Sequence, residues 1–249
     1  MSLFTQSATH RPSDRICGCR GLVDRYFYFG VSLVIAFVTI YGFSQTIDAN
    51  LLHPAIARPL LLWVHGAAFA AWLALFIVQS LLVRTRHVRL HRSFGWFVAG
   101  LGTVMVPLGF AIAVIMGRFH IHQLGDRAPA VEASLILSFY DMVAFAVVFA
   151  MAFAWRRKPD IHRRLMFVAT CGLTSAAFTR FPVEAIQHEY VCVDALIGLG
   201  ILRDLFVSHR VHKAYLYALP ILAISQGLTM YVVQNSVAWW VRIAHAILA

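Results

Sequence analysis

Long apolar runs broken by short basic clusters set the rhythm of this chain. Seven runs, at 26–47, 59–83, 95–117, 133–155, 165–183, 191–208 and 215–234, each approach the ~20 residues an α-helix needs to cross a bilayer. Hydrocarbon offers the backbone no partner, so such runs fold as helices whose hydrogen bonds are all internal. The pattern predicts an all-α, polytopic transmembrane helical bundle of about seven spans over residues 26–234. A basic tail over 1–25 precedes it, and an interfacial segment over 235–249 follows, where Trp239, Trp240 and Arg242 read as an aromatic-belt anchor. The sixth run is the most interrupted, holding Gly198, Gly200, Arg203 and Asp204. Residues 1–25 lack an apolar core before Tyr26, so they are not expected to be a cleaved leader, and the first span is expected to stay as an anchor.

The charges orient the pattern. Seven spans put the tail on the same side as the loops at 84–94, 156–164 and 209–214. Counting Arg203 with that side, it carries 16 of the 21 Lys and Arg, while Arg58, Arg118, Arg127, Arg180 and Arg242 fall on the other. Basic loops stay in the cytoplasm, so the amino terminus is expected inside and the carboxyl terminus outside. The net charge of +10 is then a topology code, helped by anionic headgroups, and not the footprint of a nucleic-acid partner.

Composition agrees. Hydrophobic residues make up 60% of the chain and charged residues 13%, about half the share usual in soluble domains. Cys17 and Cys19 fall in the basic tail and Cys171 in an apolar run, which is no disulfide framework. The expected partner is the lipid bilayer.

Candidate chemistry is polar residues in apolar surroundings. In the second run His65, Phe69, Trp72, Phe76, Gln79 and Val83 share one helix face, with His65 and Gln79 roughly 21 Å apart. Lipid rejects such groups, so the stripe is expected to face the bundle interior, as a packing seam or as a ligand site. Asp141 lies about eight residues into the fourth run, at the depth of His65 and near Arg180, which ends the fifth. An unpaired carboxylate at that depth costs several kcal/mol or takes up a proton, so Asp141 is expected to pair with Arg180 or His65. Gln226, beyond the Pro220 kink, completes a predicted polar cluster of His65, Gln79, Asp141, Arg180 and Gln226. Pro107 interrupts the third run in the same way.

Histidine is the other candidate. His91, His162 and His212 each stand directly before a base at the start of a run. These similar loops suggest three related helix hairpins or convergence on one way of entering the membrane. Two of the three could supply the axial nitrogens of a transmembrane haem, as membrane cytochromes do, or each could grip lipid phosphates. On the outer side His65 lacks an evident histidine partner, so two haems are not expected. His120-Ile-His122, taken as part of an outer loop, has a spacing that copper or zinc could use.

The motifs His65-Gly66-x-x-Phe69-x-x-Trp72-x-x-Leu75-Phe76-x-x-Gln79, Leu90-His91-Arg92-x-x-Gly95-Trp96 and His162-Arg163-Arg164-Leu165-Met166 resemble a group of uncharacterised bacterial multi-helix membrane proteins, over roughly residues 26–240. The His-Arg-x-x-Gly element at 91–95 is similar to one in haem A synthases, and the layout resembles small membrane proteins that assist cytochrome oxidase assembly. The resemblance implies the bacterial cytoplasmic (inner) membrane. Haem b or copper is the expected cofactor, with His65, His91, His162 and His212 as candidate ligands read from their positions, and a respiratory membrane complex is the expected partner.

Three functions follow as expectations. The first is a haem- or metal-binding protein of respiratory redox metabolism or oxidase assembly. The second is a small-solute or proton-coupled transporter using Asp141 and the proline kinks. The third is a cofactor-free structural or assembly subunit. No nucleophile–base spacing, phosphate-binding glycine loop or His-Glu-x-x-His assigns catalytic residues.

Overall fold

Apolar runs that need only satisfy their own backbones become helices, and helices dominate the computed structural model. It describes residues 12–123, 125, 127–183 and 188–249, with side chains from residue 21 onward. The elements are α1 (Pro12–Ser44), a π-turn (Asp48–Leu52), α2 (Leu60–Arg84), α3 (Val88–His122), α4 (Ala128–Ala154), α5 (Pro159–Gly172), α6 (Ser175–Phe178), α7 (Glu189–Ser208), α8 (Lys213–Gln234) and α9 (Ala238–Leu248). No strand occurs among the described residues. Five helices are long and apolar enough to cross a bilayer: α1 from Gly21, α2, α3, α4 and α8. Most of their large apolar side chains point outward, as lipid contact requires.

Contacts between elements close a ring: α1 on α2, α2 on α3, α3 on α4, α4 on α8, α8 on α7, and α7 back on α1. Inside it lies α5, which touches α1, α4, α7 and α8, while α6 continues against α1 and α7. Helix α5 is accordingly buried on every face from Phe167 to Cys171. Helix α9 folds back over α3 and α4. There Trp240 is buried and donates its indole N–H to the Glu132 carbonyl (3.1 Å), Glu132 pairs with His245 Nδ1 (2.8 Å), and Arg118 donates to the Ile247 carbonyl (2.8 Å).

The fifth run is not one helix. Gly172, a weak helix former, ends α5, and Thr174 turns both its hydroxyl (2.6 Å) and its N–H (3.0 Å) onto the Cys171 carbonyl. Those bonds tighten the chain, and α6 starts afresh at Ser175. The sixth run, despite its glycines and charges, is helical from Glu189 to Ser208. Pro107 and Pro220 are carried inside α3 and α8 without ending them.

Two layers of close packing fix the ring. Trp72 sits edge-on to Phe145 (5.2 Å) and Phe149 (5.5 Å), with Met105 fully buried nearby in the same core. Helices α1 and α6 approach so closely at Gly42 that a Cβ there would collide with the Ala177 carbonyl. Gly42→Val is therefore expected to lower the melting temperature of the detergent-solubilised protein by an amount equivalent to about 1–3 kcal/mol. Gly100→Ala, where a methyl meets open space on α3, is expected to leave it unchanged or raise it.

Candidate functional site

A polar cluster surrounds Asp141, the midpoint of α4. Four elements build it: α4 carries Tyr140 and Asp141, α6 Ser175, α7 Tyr190 and Asp194, and α8 Ser225 and Gln226. Ser175 donates to Asp141 Oδ2 (2.6 Å) and the Tyr190 hydroxyl to Oδ1 (3.2 Å). Tyr140 bonds the Ser225 hydroxyl (2.9 Å), and Gln226 donates to Asp194 (3.3 Å). A cavity of about 20 Å³ opens among Asp141, Tyr140, Tyr190, Gln226 and Gly172, room for one water. On the other side of the α5 terminus a second cavity, about 30 Å³, is lined by Thr39, Trp72, Leu173 and Thr174. The break between α5 and α6 thus lies between two water-sized spaces.

The expected partners of Asp141 are corrected. Neither Arg180 nor His65 reaches it. Arg180 bonds the Ala176 carbonyl and lies over the Phe43 ring (4.5 Å), because its long side chain turns toward α1. His65 stacks on Phe69 (4.2 Å) one turn along α2, with Nδ1 buried and unpartnered. Two hydroxyls replace the expected cation, so the charge of an ionised Asp141 is hydrogen-bonded but not balanced by any described residue. Glu184 lies outside the described residues.

At the basic end the pattern differs. The rings of His91 on α3 and His162 on α5 come together, centres 6.3 Å apart. His162 donates Nδ1–H to the Ala152 carbonyl of α4 (2.8 Å), while His91 Nδ1 is buried without a partner. Gln79 is 8% exposed and neither of its amide atoms has a partner. His212 does not join the pair: its Nδ1 accepts from the Ala214 N–H (3.1 Å) and caps α8. Burial, with the Arg164 guanidinium close by, holds the His212 imidazole below its usual range, consistent with a neutral acceptor.

The loop placement of His120 and His122 is corrected. Helix α3 continues through His122, so the two are helical positions two apart and project away from each other. Among the described residues no cluster of three or more His, Cys, Asp or Glu stands ready to hold a metal.

Sequence reasoning passed over the densest polar network. Asp204 is fully buried, and Arg164 grips it through Nε (2.9 Å) and Nη2 (2.6 Å). Arg203 adds a bond from Nη1 (2.7 Å), and the His212 backbone N–H another (3.2 Å). Arg203 also bonds Asp24 of α1, and Arg164 the Asp160 carbonyl (2.7 Å). The available signal was the adjacent Arg203-Asp204 inside an apolar run, opposite charges that only an interior location can pair.

No protein family, curated protein or solved structure matches the chain. Removing the Asp204 charge leaves Arg164 and Arg203 buried against each other. Asp204→Ala is expected to cost about 3–5 kcal/mol, read as a lowered melting temperature in thermal unfolding. Combining it with Arg164→Met and Arg203→Met is expected to recover part of the loss, which separates an ionic role from simple packing.

Proposed function

We propose that the chain is a proton-coupled transporter of a small solute, an integral membrane protein whose α5–α6 and α7 complete seven crossings with the basic end in the bacterial cytoplasm. The observation that carries this is Asp141: a carboxylate within the helical interior, bonded to two hydroxyls, lacking a cationic partner among the described residues and lining a water-sized cavity. A proton arriving there neutralises the charge; its release restores it. Ionisable groups at such depth mark ion pathways by default.

The surroundings support the same reading. Transporters place their sites where a membrane helix is interrupted, because the freed backbone lines a cavity. The α5–α6 break lies beside Asp141, with Ser175 the first residue of α6. The packed aromatic layer of Trp72, Phe145 and Phe149 closes the path toward the basic end. A barrier between two polar levels is what alternating access requires. The sixteen basic residues at one end orient it.

Infrared difference spectroscopy across a pH step reads the proof. The solubilised protein is expected to show a titrating carboxyl band that is absent in Asp141→Asn and retained, shifted, in Asp141→Glu. In proteoliposomes carrying a pH dye, a potassium-diffusion potential is expected to drive proton movement that falls roughly tenfold or more in Asp141→Asn. An unchanged infrared spectrum in Asp141→Asn would remove this residue from any proton role.

A further inference from the structure

The inner histidine pair and its surroundings stand apart from Asp141. Eleven residues of α4 separate Asp141 from Ala152, roughly 16 Å along the helix. Phe145 and Phe149 fill the interval. What happens at His91 and His162 is therefore independent of the proton site.

Four facts converge there. The pair joins elements distant in sequence, α3 and α5, across the bundle. Its ring centres are 6.3 Å apart. Two imidazoles facing each other across one ion, with metal–nitrogen bonds of about 2.0–2.1 Å, have ring centres a little over ~6 Å apart. A bent arrangement would bring the centres closer. The angle of 71° between the ring planes is no obstacle, since each ring turns freely about its own metal–nitrogen bond.

Second, His162 is already oriented. Metal-bound imidazoles almost always give their other N–H to a carbonyl or carboxylate, which fixes the tautomer and raises the basicity of the ligating nitrogen. The Ala152 carbonyl does this for Nδ1, leaving Nε2 as the lone-pair nitrogen. Third, His91 Nδ1 is buried and unpartnered, a polar atom that lipid-level surroundings penalise unless something binds it. Fourth, the Gln79 side-chain amide is unsatisfied at the same level of the bundle, and the His91 ring is oriented by a hydrogen bond to the Gln79 backbone. The site is thus polar, short of partners and composed of neutral donors.

We propose that His91 and His162 bind a single copper(I) ion in a near-linear, two-nitrogen site linking α3 to α5. Imidazole suits copper among the first-row ions. A d¹⁰ monovalent ion accepts two ligands, so the lack of a third histidine, cysteine or carboxylate is no defect. It adds one positive charge where Arg92 and Arg163 already stand next in sequence, a smaller burden than a divalent ion would bring. The ion is the cargo or resident of this end of the molecule and undergoes no redox change in the binding step.

The test uses the full-length protein in detergent, titrated anaerobically with copper(I) against a chromophoric copper(I) chelator. One ion per chain is expected to be withdrawn from the chelator. His91→Gln and His162→Gln are expected to weaken binding by more than the roughly 100-fold that loss of a supporting partner costs. Both keep an amide able to hydrogen-bond, and gel filtration with thermal unfolding checks that they fold. His120→Ala combined with His122→Ala is expected to leave binding unchanged. X-ray absorption on the unmutated protein, which needs no variant to fold, is expected to show scattering from two imidazoles. Binding that survives both glutamine variants, or fewer than two imidazoles at the copper, overturns the site. So does a haem absorption band that disappears with His91→Gln, since the pair would then hold haem iron.

Discussion

Asp204 holds the interior of this molecule together, and it does so against a steep desolvation penalty. A carboxylate removed from water is tolerated only where its lone pairs are filled by charged donors of good geometry. Arg164 supplies a two-pronged contact, Arg203 a second guanidinium, and the His212 N–H the remaining direction. Through Arg203 the network reaches Asp24 on α1. One side chain thereby ties α1, α5, α7 and the start of α8. The ring of helices can close around α5 because the charges on α5 and α7 satisfy each other there.

Two polar levels with an apolar layer between them follow from that closure. The basic end carries the Asp204 network and the His91–His162 pair; the middle of α4 carries Asp141 and its hydroxyls. Between them Trp72 packs edge-to-face on Phe145 and Phe149 in an apolar layer. The centre of the ring is neither a pore nor a uniform core. Its one irregular stretch, Gly172–Thr174, falls where the two cavities flank the chain.

Hydropathy placed the elements well because the bilayer imposes one simple rule on long helices. The run at 59–83 became α2 over Leu60–Arg84, and 215–234 became α8 over Lys213–Gln234. The α5–α6 break escaped because it depends on Thr174 bonding backward within an apolar stretch, which hydropathy does not weigh. Asp141 stood out as a charge in an apolar run. Its true partners did not, since one chain read in isolation does not say which helices are neighbours, and charge complementarity pointed to Arg180 where hydroxyls proved nearer. Counting residues from each loop did bring His91 and His162 to one level, and they touch. The same counting set His212 beside them, where helix capping claims it instead.

The broken, charged α5–α6 and the equally charged α7 bear on how the protein is made. Neither is among the helices apolar enough to cross a bilayer alone, and Asp or Arg at the centre of a lone span costs about 2.5–3.5 kcal/mol each on the scale of the insertion machinery. Helix α5 is enclosed by the ring, while α7 is one of its members and turns Arg203 and Asp204 inward. In the proposed seven-span arrangement, their place in the bilayer is a property of the assembled bundle. On that proposal, insertion and folding of α5 and α7 are one event, and a newly made chain must bring Arg164 and Arg203 to Asp204 before either helix settles.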